Sequence, residues 1–229
     1  MDFFELTLTA FLQVDLYFNE ASEVIGQLIN KSMLLDSELT EKHKKYGYKF
    51  YCFDSLYPLE SDKTYKQGRA YVFRVRSMEK KFVEKLQKLI PKVDSEIFRI
   101  LSIQKKKIVQ KPIKEIFSIT PVIVTVENNP WMLNDDLIIL QSRLQANLEK
   151  KFKEFYNETI RPDQNFIEKI QILNKKPVAL KYKGIELLGN KYKIWINDDN
   201  DSQRLAFVAL GSGIGEKNSS LGAGFCGWR

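Results

Sequence analysis

The chain has 229 residues, enough for one large domain or for two of about 110 residues each. Hydrophobic residues make up 44% of it, which allows a buried core and excludes a disordered chain. The formal net charge of +7 favours a polyanionic partner such as a nucleic acid. A solvated, lysine-rich surface explains the same charge, so composition alone leaves both interpretations open.

Cysteine, histidine and acidic residues argue against a metal centre. Two cysteines and one histidine are too few for a zinc site or a disulfide framework. Carboxylates that could bind Mg²⁺ occur in the pair Asp135–Asp136 and in the cluster Asp198, Asp199 and Asp201. Acidic residues beside turns, however, usually cap helices. We therefore predict no metal and no cofactor.

The N-terminus and the hydropathy pattern predict a cytoplasmic protein that does not interact with membranes. Residues 1–5 are acidic and lack the positive region of a signal peptide. No apolar run approaches the ~20 residues of a membrane span.

The first half alternates between the periods of strands and helices. Alternation with period two predicts strands, and apolar spacing of three and four predicts helices. A short helix is expected to end near His43. The predicted strands are 3–13, 49–56, 69–77 and 96–109, and the predicted helices are 16–33, capped by Asp15, and 79–90. This order is β-α-β-β-α-β, the ferredoxin-like unit.

The second half, after Pro112, can be interpreted as a degenerate copy of the first. Its expected strands are 113–126, 166–173, 178–182, 191–196 and 225–228, and its expected helices are 134–156 and 201–210. A hairpin turn is expected at Gly189–Asn190. We predict an α+β fold of tandem ferredoxin-like (RRM-like) units, with domains at 1–111 and 112–229 and a C-terminal glycine-rich loop.

Six of the eleven glycines lie between Gly211 and Gly227. Neither the dinucleotide-binding nor the P-loop pattern fits this segment. Free N–H donors, short polar side chains and a lysine favour contact with phosphate oxygens. The predicted RNA contacts here are Gly211, Gly213, Gly215, Lys217, Asn218, Ser219, Ser220 and Gly222.

Two short segments resemble a known family. The glycine-rich segment opens as Gly-Ile-Gly and closes as Leu-Gly-Ala-Gly-Phe. Residues 51–56 approximate a Phe-x-Phe-Ser-x-Leu strand, with Tyr51 in place of a phenylalanine and Asp54 as an extra residue. Both resemble the CRISPR-associated repeat-processing endoribonucleases of the RAMP superfamily. The resemblance implies metal-independent cleavage of CRISPR precursor transcripts within their repeats, leaving 2′,3′-cyclic phosphate and 5′-hydroxyl ends. It implies CRISPR repeat RNA as partner and leaves a CRISPR effector complex and a homodimer open.

In that family, a histidine at the end of the short helix is an acid–base group, and His43 matches its position. Histidine suits proton transfer because its unperturbed pKa lies near 6.5. Lys49, followed by Tyr46 and Lys31, is the expected helper. The alternative is an exposed histidine that merely complements a helix end.

Further basic residues lie on strands in pairs with period two. Two of these pairs are predicted to bind RNA: Arg74 with Arg76, and Lys191 with Lys193. A non-catalytic RNA-binding subunit is the first alternative function. A generic interaction domain without an RNA role is the second, and an acylphosphatase-like enzyme is a remote third.

Overall fold

Two four-stranded antiparallel sheets organise the chain, and both have the same strand order. The computed structural model describes residues 1–132 and 135–229. When the strands of each sheet are numbered in chain order, neighbours run second, third, first, fourth. This order, with helices after the first and third strands, defines a ferredoxin-like unit. The predicted tandem ferredoxin-like α+β fold is confirmed.

The first sheet has the order β3-β5-β1-β6 and carries α1 and α3 on one face. A short helix, α2, and a minor strand pair, β2–β4, are additions to the unit. The elements of this half are β1 (Asp2–Leu12), β2 (Leu16–Tyr17), α1 (Ala21–Met33), α2 (Ser37–Lys44), β3 (Tyr51–Phe53), β4 (Thr64–Tyr65), β5 (Ala70–Ser77), α3 (Lys80–Leu89) and β6 (Phe98–Val109).

The second sheet has the order β10-β13-β7-β14, with α4 and α5 as its helices. Its elements are β7 (Glu115–Ser118), β8 (Thr125–Val126), β9 (Asn129–Pro130), α4 (Leu137–Tyr156), β10 (Ile167–Ile172), β11 (Val178–Tyr182), β12 (Ile185–Gly189), β13 (Tyr192–Ile196), α5 (Asn200–Ser212), α6 (Asn218–Leu221) and β14 (Cys226–Trp228). The predicted boundary at 111/112 falls between β6 and β7 and stays a prediction.

Apolar periodicity explains why these elements form and how each half is packed. Alternate residues of β1, from Phe4 to Leu12, are buried against α1 and α3. In the second half, α4 buries an apolar stripe through Leu140, Leu144, Leu148 and Phe152. Phe3 and Met78 belong to the second core although they come from the first half. The two halves therefore share a packed interface.

The first helix begins later than its sequence pattern predicts. Residues 16–17 pair with β4 instead, and α1 begins at Ala21. Asp15, predicted as the helix N-cap, accepts a hydrogen bond from the backbone N–H of Gln67 at 2.7 Å. The prediction was wrong because Leu16 fits the helical spacing but is buried in the strand pair.

Two predictions in the second half were also wrong. The strand expected over 113–126 is interrupted because the chain leaves the sheet after Ser118. The hairpin turn lies at Lys183–Gly184, not at Gly189–Asn190. The φ angles of Lys183 and Gly184 are 50° and 81°, as a type I′ turn requires.

Two acidic side chains that could have bound Mg²⁺ cap helices. Asp136 accepts from the backbone N–H of Ile138 at the start of α4, and Asp199 accepts from that of Ser202 at the start of α5. Asn134, the expected first residue of α4, lies outside the described residues. Within the described ranges, no helix has both the length and the apolar character needed to cross a membrane.

Candidate active site

His43 is exposed on the last turn of α2 and lines a cleft of about 290 Å³, which we call the His43 cleft. The cleft joins residues that are far apart in the sequence. Its lining includes His43, Lys49 and Tyr51 from the first half and Tyr182, Lys183, Ser219 and Ser220 from the second. The structure thus brings the predicted histidine and the end of the glycine-rich segment together.

The helix that carries His43 is fixed at its start by a charged cap. The carboxylate of Asp36 accepts from the backbone N–H of Leu39 at 3.0 Å and from the Lys85 ammonium at 2.7 Å. The Lys85 hydrogen bond, and then that of Leu39, hold the pKa of Asp36 below its usual range. The cap therefore stays ionised near neutral pH, where it stabilises α2.

Lys49 closes the other end of the same helix. Its ammonium donates to the backbone carbonyl of Lys42 at 2.5 Å and to that of Lys45. Burial lowers the pKa of Lys49, and the neighbouring Lys42 and Lys45 charges lower it further. Lys49 therefore combines two functions, because it satisfies carbonyls at the helix end and places a cation in the His43 cleft.

The structure does not bring the other two expected helpers into this cleft. The side chain of Tyr46 is 99% exposed and lines neither this cleft nor the larger one beside it. Lys31 lines a different groove, beside residues 94–97. On α1, Lys31 lies one residue beyond the face that points towards His43, so a helical rotation of about 100° turns it away.

Sequence reasoning missed the face of α1 that does line the cleft. Glu23, Gly26, Gln27 and Asn30 all contribute to the lining. Their spacing of three, four and seven residues places them on one side of the helix. This spacing of polar residues and a glycine along one side of α1 was the feature of the sequence that could have indicated the lining of the cleft. Gln27 and Asn30 add amide groups that can donate to, and accept from, a nucleic acid.

The glycine-rich segment is a packed structural element more than an open loop. The helix α5 extends to Ser212, so Gly211 is helical and packs against Phe3 and Met78. Gly213, Gly215 and Gly222 are buried as well. The expectation of RNA contact needs correction at Gly211, Gly213 and Gly222, which are buried and line neither the His43 cleft nor the larger cleft beside it. The other members of the predicted set line one or both clefts, and their RNA contacts stay predictions: Gly215, Lys217, Asn218, Ser219 and Ser220.

The side chain of Asn218 forms hydrogen bonds across the interior of this segment. Its amide nitrogen donates to the carbonyls of Ile214 at 3.0 Å and Ala223 at 2.7 Å. Its amide oxygen accepts from the Lys151 ammonium at 2.7 Å. Both ends of the amide are therefore engaged inside the protein, and Asn218 holds the backbone of the segment in shape.

Lys151 is a functional candidate that the sequence analysis did not include. It is 2% exposed and donates to the carbonyls of Gly213 at 2.7 Å and Gly215 at 3.4 Å, in addition to Asn218. Burial lowers the pKa of Lys151 to about 7. These bonds connect α4 to the glycine-rich segment, so Lys151 helps to position the surface residues that follow it.

Gly224 illustrates how tightly this segment is packed. Its φ is +70°, and a Cβ atom there would lie 1.9 Å from the carbonyl oxygen of Ile214. We expect Gly224→Ala to destabilise the fold by more than ~2 kcal/mol, since steric overlap adds to a left-handed backbone cost of about 1–2 kcal/mol. Urea unfolding measures this free energy.

Gly184→Ala is the matched control because Gly184 has a φ of +81° and open space around its Cβ position. It should show the backbone cost alone. Equal losses of stability in the two variants would contradict the packing argument.

The predicted basic pair on β5, Arg74 and Arg76, is partly buried in the structure. Arg76 is 1% exposed, pairs with Glu5 at 2.6 Å and donates to the carbonyl of Cys226 at 2.6 Å. The prediction that Arg76 grips RNA was wrong, because the second half of the chain covers it. Its strand neighbour Arg74 is half-buried and pairs with Asp54 at 2.7 Å.

Lys191 and Lys193 line neither the His43 cleft nor the cleft beside it. Burial lowers the pKa of Lys191. Lys193 pairs with Glu115 at 2.8 Å. RNA contacts at Arg74, Lys191 and Lys193 stay predictions.

Comparisons with known proteins agree with this architecture. Two solved structures superpose over 99% of this chain and 99% of their own: one described as an RAMP protein binding different RNA substrates (TM-score 0.76, 18% identity) and one described as CRISPR associated protein Cas6 (TM-score 0.73, 19% identity). These likenesses concern the fold.

Sequence comparison adds the family. The chain is 25% identical to CRISPR-associated endoribonuclease Cas6 2 of Methanocaldococcus jannaschii, over 92% of this chain and 93% of the relative. The family model of CRISPR associated protein Cas6, C-terminal, matches residues 103–227, which is more than half of the chain. The glycine-rich segment that first suggested the relationship lies within that match. The chain therefore belongs to the Cas6 family of CRISPR-associated proteins.

Proposed function

We propose that this chain is an endoribonuclease that cuts CRISPR precursor transcripts within their repeats to give guide RNAs. The His43 cleft carries the proposal, because there the single histidine of the chain lies with Lys49, Ser219 and Ser220. Family membership and the M. jannaschii relative, which is named an endoribonuclease, support RNA as the substrate.

The proposed reaction is an internal attack within the RNA. The 2′-hydroxyl oxygen forms a bond to the adjacent phosphorus while the bond from phosphorus to the 5′ oxygen breaks. The imidazole of His43 takes up the 2′-hydroxyl proton or delivers a proton to the departing 5′ oxygen, and water exchanges the other proton. The products are a 2′,3′-cyclic phosphate and a 5′-hydroxyl, and no cofactor takes part.

The cations of the cleft, Lys49 and Lys183, would stabilise the extra negative charge of the pentavalent transition state. Lys49 is held next to His43 by the end of α2, and Lys183 enters from the tip of the β11–β12 hairpin. The hairpin contacts the residue before α1 through the Lys181–Glu20 ion pair at 2.8 Å. Preorganised cations of this kind act where charge develops, which is usually a large contribution to catalysis.

Cleavage of a labelled repeat RNA in EDTA tests the proposal. We expect the wild-type protein to cut at one position and to leave a 2′,3′-cyclic phosphate, which phosphatase and end-labelling assays identify. A substrate with a 2′-deoxy nucleotide at that position should remain intact, since it lacks the attacking oxygen.

Cleavage of the deoxy substrate, or loss of cleavage in EDTA that Mg²⁺ restores, would reject this mechanism. Tight and sequence-selective binding without any cleavage would instead assign a non-catalytic RNA-binding subunit. Weak binding that ignores the RNA sequence and collapses with salt would remove the RNA role altogether.

A further inference from the structure

A second, larger cleft continues from the His43 cleft and has no assigned role. It encloses about 480 Å³ between α4 and the α6 region of the glycine-rich segment, and we call it the α4 cleft. The two clefts share Lys49, Tyr51, Ser219 and Ser220 in their walls. A strand that passes His43 can therefore continue directly into the α4 cleft.

Three exposed cations line the α4 cleft. Arg143 and Lys150 lie seven residues apart on the same face of α4, and Lys217 faces them from the glycine-rich segment. Within residues 1–132 and 135–229, none of the three forms an ion pair. The carboxylate of Glu216, which also lines the cleft, accepts from the backbone N–H and the hydroxyl of Thr125, both at 2.9 Å. These bonds hold the carboxylate towards Thr125, and the exposed cations that line the cleft outnumber it, so the cleft carries net positive charge.

Asn147 adds an uncharged polar group to the same wall of the cleft. It lies between Arg143 and Lys150 on the face of α4 that lines the cleft. Asparagine side chains hydrogen-bond to phosphate and sugar oxygens in nucleic-acid complexes. The wall therefore combines cations with an amide, both of which suit a sugar–phosphate backbone.

We infer that the α4 cleft binds the sugar–phosphate backbone of the RNA strand next to the scissile phosphate, with Arg143, Lys150 and Lys217 neutralising phosphates. This inference rests on the proposed function, which places the scissile phosphate at His43. The α4 cleft contributes to RNA affinity and directs the path of the strand, whereas the proton transfer takes place at His43. The buried Lys151 supports this arrangement because its bonds fix the segment that carries Lys217.

The test measures binding of repeat RNA that carries a 2′-deoxy nucleotide at the cut position, so that affinity is measured without cleavage. The variant Arg143→Gln/Lys150→Gln/Lys217→Gln is compared with Lys81→Gln/Lys88→Gln/Lys92→Gln, which removes the same charge from exposed positions in and just after α3. For a single strand, each phosphate contact contributes about 0.7 to the slope of the logarithm of the binding constant against the logarithm of the salt concentration, which we call the salt slope. We expect the α4-cleft variant to bind about tenfold or more weakly and its slope to fall by about 2, and the control to stay near wild type.

A second readout separates this inference from the proposed function. The concentration of cleavable RNA that gives half of the maximal single-turnover rate should rise for the α4-cleft variant, and should stay near the wild-type value for the control. Equal salt slopes for the α4-cleft variant and the control would overturn the inference. If the wild type never cuts the cleavable RNA, the proposed function fails, and the same binding comparison with unmodified repeat RNA still decides whether the α4 cleft holds the strand.

Discussion

Replacement of His43 by alanine is expected to slow cleavage of repeat RNA by about 10²–10⁴-fold, the usual contribution of a positioned acid or base. His43 is exposed on the last turn of α2, so alanine should leave the helix and the surrounding core intact. RNA affinity should therefore change little. Single-turnover cleavage and equilibrium binding on the same RNA measure the two quantities separately.

Lys44→Ala is the control because Lys44 is also exposed, on the same turn of α2, but does not line the His43 cleft. It should cut at nearly the wild-type rate. If His43→Ala cuts as fast as Lys44→Ala, the fold assignment stands and the active site lies elsewhere. If His43→Ala loses affinity but cuts at the wild-type rate at saturating RNA, His43 binds RNA without transferring a proton.

The second large effect is expected at Lys151, where methionine keeps the aliphatic part of the side chain and removes its nitrogen. The Lys151 Nζ donates to the carbonyls of Gly213 and Gly215 and to the side-chain oxygen of Asn218. At pH 9, above the lowered pKa, the neutral amine still has two N–H groups for these buried acceptors. Lys151→Met removes this donor from all three acceptors, so at pH 9 we expect the free energy of unfolding to fall by ~1–3 kcal/mol. Denaturant titration measures this change.

This loss should depend on pH in a defined direction. Burial lowers the pKa of Lys151 to about 7, whereas a lysine in the unfolded chain titrates near 10.4. Between these values the unfolded chain binds more protons, so the Lys151 contribution to stability rises with pH. Burial raises the pKa of nearby Cys52 and Cys226 to about 12, so both thiols stay neutral over most of this window.

The difference in unfolding free energy between wild type and Lys151→Met should therefore grow in favour of the wild type from about pH 7 to pH 10. Lys153→Met is the control, since Lys153 is exposed on the same helix. Parallel pH curves for the wild type and Lys151→Met would show that Lys151 keeps an ordinary pKa in the folded protein.

Much of the candidate site could be predicted from local pattern. His43 followed from the resemblance of its segment to the CRISPR-associated endoribonucleases, and Lys49 from its distance to His43. Lys151 was missed although it gave a signal, because it lies seven residues after Leu144 on the apolar stripe of α4. A lysine on a buried stripe needs polar partners, but those partners are more than 60 residues away and no local pattern names them.

The order and type of the main elements follow from the amino-acid sequence, since period-two and helical spacing reflect which face of each element is buried. The same spacing places Arg74 and Arg76 on one face of β5. The packing of the second half on that face, which buries Arg76, is visible in the folded chain and not in the spacing. The tertiary structure likewise turns most of the glycine-rich segment inward and brings Ser219 beside His43. Periodicity shows which residues share a face of one strand or helix. Which distant segment packs on that face depends on contacts between elements that are far apart in the sequence.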